Sequence, residues 1–175
     1  MTIGQGETIA RFDDRLIAWR RFAREGPLTP DEIKSVEGLE YWVLGVDQQN
    51  GIVDILLRMK PEVMCTPHIH VGRTTTLVVE GEHRNLTRID NEWVVKDVRR
   101  PGVFALSQGD HFHREQAGPE GTIVHLGMTG VEGVIWLAVD DEGAVRAEAR
   151  VEDFQAVLKR QSDPAAPPPR RRSGL

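Results

Sequence analysis

Between Glu40 and Ala149 the chain never runs far without a turn residue, and this rhythm constrains the fold more than any other feature. Tyr41–Leu44 and Ile52–Leu57 are rich in β-branched and aromatic side chains, and Gln49-Asn50-Gly51 between them is a hairpin signal. Further strands are expected over Val63–His70, Thr74–Glu80, His83–Ile89, Trp93–Val98, Val103–Leu106, Thr122–Met128, Val134–Val139 and Ala144–Ala149. Gly72, Asp90-Asn91, Pro101-Gly102, Gly109-Asp110, Pro119-Glu120-Gly121, Gly133 and Asp141-Glu142-Gly143 separate nearly all of them. Many short strands at near-regular spacing predict an all-β domain, a barrel of two packed antiparallel sheets.

The flanks read differently. Ile9, Phe12, Leu16, Trp19 and Ala23 recur at three- and four-residue intervals, the stripe of an amphipathic helix that Gly26-Pro27 would end. Thr29-Pro30-Asp31-Glu32 has the cap, first-position proline and first-turn acids of a second, short helix. Glu152–Arg160, with Phe154, Val157 and Leu158, predicts a closing helix. Residues from Ser162 onward are rich in proline and arginine, without apolar periodicity, and are expected to be a disordered tail. The expected organisation is a helical segment over 1–38, a barrel over 39–150, a helix over 151–161 and a tail over 162–175.

With 175 residues the chain can bury one sizeable core. A net charge of −5 argues against a general nucleic-acid binder. A single cysteine, Cys65, rules out an intrachain disulfide framework and points to a reducing compartment. No apolar run has the length of a membrane span, and the first residues lack a secretory pattern. The expectation is a cytoplasmic protein with a small-molecule substrate and no membrane or nucleic-acid partner. Barrels of this size often pair through edge strands or N-terminal segments, so a homodimer is expected.

The chemistry is concentrated in six histidines, all between His68 and His125. In Pro67-His68-Ile69-His70 the two imidazoles alternate with an apolar residue, so on a strand they share one face, roughly 7 Å apart at the backbone. Two such rings can converge on one ion if a neighbouring strand supplies a third, and His111 and His113, read as lying in a later Gly-rich turn, are the candidates. An isolated pair of this kind would be read as surface histidines on an edge strand; the second pair tips the reading towards a metal. Of the remaining groups, His83 is a candidate base, or a donor that orients a ligand, weighed equally against a buried structural histidine. Thr74 can hydrogen-bond a metal-bound water, against the simpler reading of β-propensity. His125 is read as a satisfied core or cavity histidine, Arg114 and Glu115 as solvated, Cys65 as a small buried hydrophobe. Trp42, Trp93 and Trp136 are assigned to core or cavity.

These residues resemble the cupin superfamily, whose first motif is an HxH, three or four residues, a Glu, six residues and a Gly. Here the sequence reads His68, His70, Thr74, Gly81: the spacing matches and the Glu is absent. In the second motif Gly102–Gly109 fits without its proline; the strict histidine position falls on Phe112, between His111 and His113, and counting forward from Gly102 instead puts the ligand at His113. The resemblance spans about Trp42 to Asp141 and implies a double-stranded β-helix. A closer similarity is to cupin dioxygenases acting on 2,4′-dihydroxyacetophenone and to the acetylacetone-cleaving type. It lies in Ile55–Pro61, His68–Gly72, Val78–Glu82, Val131–Trp136 and Asp140–Gly143. A departure is Thr87-Arg88, where the acetophenone enzymes carry an acidic residue.

The resemblance implies one divalent ion on three histidines, His68 and His70 with His113 or His111. Iron(II) is favoured, and zinc or nickel would also suit such ligands. It implies a non-haem dioxygenase that cleaves a carbon–carbon bond in a small oxygenated ketone or diketone. The alternative is a non-enzymatic cupin that binds a metal or a small molecule as a sensor, like the zinc-binding cupin domains that regulate anti-sigma factors.

Overall fold

A computed structural model describes residues 12–22 and 37–162. Ten strands follow in chain order: β1 (Arg20–Arg21), β2 (Leu39–Asp47), β3 (Ile52–Met59), β4 (His68–His70), β5 (Thr74–Ile89), β6 (Glu92–Arg99), β7 (Phe104–Ser107), β8 (His111–Thr129), β9 (Val134–Val139) and β10 (Val145–Arg150). One helix, α1 (Val151–Gln161), closes the described chain. All strand pairs are antiparallel. The all-β architecture is as expected. No helix among the described residues is long and apolar enough to cross a membrane.

Strand β8 organises the molecule. Its first half pairs with β4, its second half with β3, and β5 runs beside both halves. Strands β9 and β10 extend the β4 side, β2 and β1 extend the β3 side, and β6 and β7 add to β5. For two strands to serve both sides of a barrel they must bend together. Gly81 of β5 and Gly121 of β8 do this, facing one another with φ of +71° and +85°. Register shifts flank Gly81, between Val78 and Glu80 and between Gly81 and His83. Such bulges increase local twist and curl a sheet. The sequence reading broke both strands at these glycines; the structure carries each through as one bent strand.

Alternation then selects the interior. Val53, Ile55, Leu57 and Met59 of β3 and Val124, Leu126 and Met128 of β8 are buried, with Val43, Val78 and Ile135 packed against them. Burial of each such side chain stabilises the fold by about 1.5–3 kcal/mol. Helix α1 lays Val151, Phe154 and Val157 on this core, and the Phe154 ring meets Trp136 edge-on at 5.2 Å. At its end Gln161 bonds both backbone groups of Val43, accepting from the N–H at 3.2 Å and donating to the carbonyl at 2.8 Å. The side chain thereby blunts the free edge of β2.

The N-terminal helix expected over Ile9–Arg24 is not what the described part of that segment forms. Asp13 caps a single 3₁₀ turn, Asp14–Leu16, and Leu16 of the proposed stripe is 84% exposed. Arg20 and Arg21 pair instead with Tyr41 and Glu40, while Phe22 stacks on Tyr41 at 4.4 Å. Arg58 lies over the Trp19 ring at 4.5 Å and bonds Asp14 and Glu40. The open edge of β2 offers backbone partners and an aromatic surface, and these outweigh local helix propensity. The second short helix at Thr29–Glu32 and the tail beyond Ser162 lie outside the described residues.

Candidate metal centre

The second histidine pair sits on a strand and not in a turn. In the β4–β8 ladder His68 lies opposite His113 and His70 opposite His111. Residues directly opposite in an antiparallel pair point to the same face, so all four imidazoles lie on one side. Ile69 and Phe112 point to the other side, where Phe112 contacts Trp93 at 5.1 Å. Pairing parity thus puts the strict motif position, Phe112, outside and its neighbour His113 inside. Trp93, assigned to core or cavity from the sequence, is held on that outer side, its indole N–H donating to Asp141 at 3.1 Å.

One nitrogen each of His68, His70 and His113 falls within 4.8 Å of the others, a group able to hold a metal ion. The Nε2 atoms of His68 and His70 are 3.2 Å apart. Two imidazoles on one ion at about 2.0–2.1 Å each would sit at about that separation. The opposite nitrogens are committed elsewhere. His68 Nδ1 donates to the Thr66 carbonyl at 3.0 Å and His113 Nδ1 donates to the His111 carbonyl at 2.7 Å. That fixes the tautomer leaving Nε2 with its lone pair, the usual arrangement around a metal-binding imidazole. His70 Nδ1 is buried without a partner. The donor set therefore fits a divalent ion of the iron, zinc or nickel type.

Burial keeps the His70 and His113 rings neutral. It pushes His70 well below the ordinary imidazole range, with repulsion from His68 adding to it. His113 is drawn down to about 3, again by burial first and His68 second. Neutral rings are what a metal needs. The sign of the resulting pH dependence follows by linkage. In the unfolded chain these histidines take up protons near pH 6.5, whereas the folded protein does so only far lower. Between those limits the unfolded state binds more protons, so stability falls as pH falls. The metal-free protein is expected to lose at most about 1.4 kcal/mol per pH unit for each such histidine below 6.5. Urea unfolding at pH 7 and pH 5 checks this, and equal midpoints would refute it.

The other anticipated residues separate. His111 is half-buried outside the trio, its ring 5.2 Å from that of His113, and it serves through its backbone carbonyl. Thr74 is buried with its hydroxyl donating to the Gly72 carbonyl at 3.4 Å, and it does not line the cavity beside the histidines. His83 is fully buried and is also absent from the cavity wall; its Nε2 donates to Glu115 Oε1 at 3.1 Å. His125 belongs to the outer face, opposite in parity to buried Val124 and Leu126, and it pairs with Asp54 at 3.2 Å. Cys65 is buried, as read from the sequence, and burial followed by the nearby Glu115 charge pushes its thiol up.

Glu115 is the residue that sequence reasoning missed. It is 4% exposed, not solvated. It stands two residues beyond His113 on the same face of β8, with Oε2 3.8 Å from His68 Nε2. Burial opposes its ionisation, but the hydrogen bond from His83 and the electrostatic pull of the His83, His68 and His113 rings outweigh that and hold the carboxyl well below its usual range. The signal was present: His111, His113 and Glu115 alternate as a strand does.

Glu115, His68 and His70 line a cavity of about 380 Å³ walled by Tyr41, Ile55, Leu57, Trp136 and Phe154. Among the described residues no Lys or Arg lines it. Its size suits a small ligand, and its walls are mostly apolar.

No family model matches the sequence, and no curated protein matches it. Solved structures do match the fold. Acetylacetone dioxygenase from Acinetobacter johnsonii aligns with a TM-score of 0.63 at 14% identity, over 91% of this chain and 95% of that one. An RmlC-like cupin from Ralstonia eutropha JMP134 aligns with a TM-score of 0.60 at 18% identity, over 81% of this chain and 79% of that one. The bent, shared strands β5 and β8, the two-sided barrel and these alignments together establish that this chain has the cupin fold.

Proposed function

We propose that the protein is a metal-dependent dioxygenase that cleaves a carbon–carbon bond in a small, neutral, oxygenated ketone or diketone. His68, His70 and His113 hold the ion, iron(II) in this reading. The observation that carries it is the convergence of three imidazoles from two strands beside a small apolar cavity. The fold likeness to an acetylacetone dioxygenase supports the choice of reaction. Iron(II), when bound, supplies Lewis acidity and the chemistry of O₂.

The chain's own contribution is positioning and exclusion. Thr66 and His111 carbonyls fix the ring orientations of His68 and His113. Tyr41, Trp136 and Phe154 shield the centre from bulk water and leave apolar surface for the alkyl or aryl part of a substrate. Apart from the ion, the cavity is offered no cationic side chain among the described residues, while Glu115, Glu148 and Asp153 line it. A carboxylate substrate would meet these like charges on entry, so the preference is for uncharged ketones.

The test is oxygen consumption by protein loaded anaerobically with iron(II), across a panel of β-diketones, α-hydroxyketones and their carboxylate analogues. Uptake with neutral members, at least about tenfold above the carboxylates, is expected. Iron-loaded protein that consumes no oxygen with any neutral ketone would defeat the proposal.

A further inference from the structure

The first cupin motif expects a Glu where this chain has Thr74, and the Thr74 hydroxyl is spent on the Gly72 carbonyl. A carboxylate nevertheless approaches the same centre from another strand, grouping there with His68 and Cys65. Glu115 shares the inward face of β8 with His113 and lines the cavity together with His68 and His70. Its Oε2 lies 3.8 Å from His68 Nε2, and that nitrogen is the one turned to His70 at 3.2 Å. Its other oxygen is held by the buried His83 at 3.1 Å. A carboxylate this buried needs positive charge, and among the described residues its side-chain partners are histidines, with no Lys or Arg.

Resting on the metal reading above, we infer that Glu115 is a fourth ligand of the ion held by His68, His70 and His113, with His83 as the positioning residue that aims its carboxylate. The ligand that the motif draws from the start of β5 is thus drawn from the middle of β8. Cys65 is the third member of the group with His68 and Glu115. Its sulfur accepts the Glu115 N–H at 3.0 Å and approaches His68 at Nδ1, the nitrogen turned away from the centre. Two consequences follow. The site lowers the charge of a divalent ion by one, and an octahedral ion keeps two open positions where three histidines alone would leave three.

The decisive experiment is a crystal structure of the wild-type protein loaded with cobalt(II), located by anomalous scattering. A Glu115 oxygen at about 2.0–2.2 Å from the cobalt is expected. Cobalt among the three histidines with both Glu115 oxygens beyond about 3 Å would overturn this inference and leave the metal reading standing. Cobalt absent from the histidines would overturn both. In solution, Glu115→Gln is expected to weaken cobalt binding by about 10-fold or more, and binding within twofold of wild type would refute the ligand role. Should that variant fail to fold, the wild-type crystal decides alone.

Discussion

Replacing His68 and His70 together by alanine is expected to abolish metal binding. The two side chains carry the pair of Nε2 atoms that face one another at 3.2 Å, and no other described imidazole joins His113 in such a group. Elemental analysis after loading should fall from about one ion per chain to less than about a tenth of that. The fold should survive. Strand β4 is held by its backbone ladders to β8 and β9, which do not use the imidazoles. The substitution also removes His70, a buried ring kept neutral against its solvation, so the loss of packing is partly offset. Unchanged circular dichroism with no bound metal is therefore the expected pair of results. Full metal content in the double variant would show that the ligands lie elsewhere.

Gly81→Ala is expected to be the most damaging single methyl on the barrel. Gly81 sits at φ +71°, where an L side chain costs about 1–2 kcal/mol. The added Cβ would also fall inside contact distance of the Gly121 carbonyl oxygen, with the Gly121 carbonyl carbon at 2.9 Å and Thr122 Cα at 3.0 Å. These are backbone atoms of the adjacent strand, which cannot rotate away. Overpacking of this kind costs about 1–3 kcal/mol, so the sum is about 2–5 kcal/mol, a large share of a typical domain's stability. Chemical denaturation measures it. A midpoint equal to wild type would mean that the two long strands do not bend against each other here.

That glycine marks both what the sequence made legible and what it hid. The strand cores were readable because β-branched residues alternate with polar ones, and Val134–Val139 emerges with its expected limits. Gly81 and Gly121 were read as ends of strands. In the structure they are bends within strands, because β5 and β8 each have partners on both sides of the barrel, a long-range pairing that no local pattern encodes. Reading Gly109-Asp110 and Pro119-Glu120-Gly121 as turns left the segment between them without a strand, so Glu115 was taken for a surface acid. Once His111–Ala117 is seen to alternate, the burial of Glu115 follows from that of His113. The N-terminal misreading has a similar origin: the apolar spacing of Phe12, Leu16 and Trp19 fits a helix, but the aromatic edge at Tyr41 draws Phe22 into the sheet.

Thr74 was considered because of its place in a motif, and the structure shows its hydroxyl occupied by local backbone. The choice between His111 and His113 could not be made from spacing alone. It rests on pairing register, which sets His113 opposite His68 and leaves the His111 carbonyl to orient the His113 ring.

The central claim is that three imidazoles from β4 and β8 grip a single ion. X-ray absorption fine structure of the iron-loaded protein in solution tests it most directly, because each bound imidazole adds a characteristic outer-shell scattering pattern to the nitrogen and oxygen shell at about 2.0–2.2 Å. The account predicts a pattern fitted by three imidazoles per iron. A spectrum fitted by oxygen ligands with one imidazole or none would contradict it.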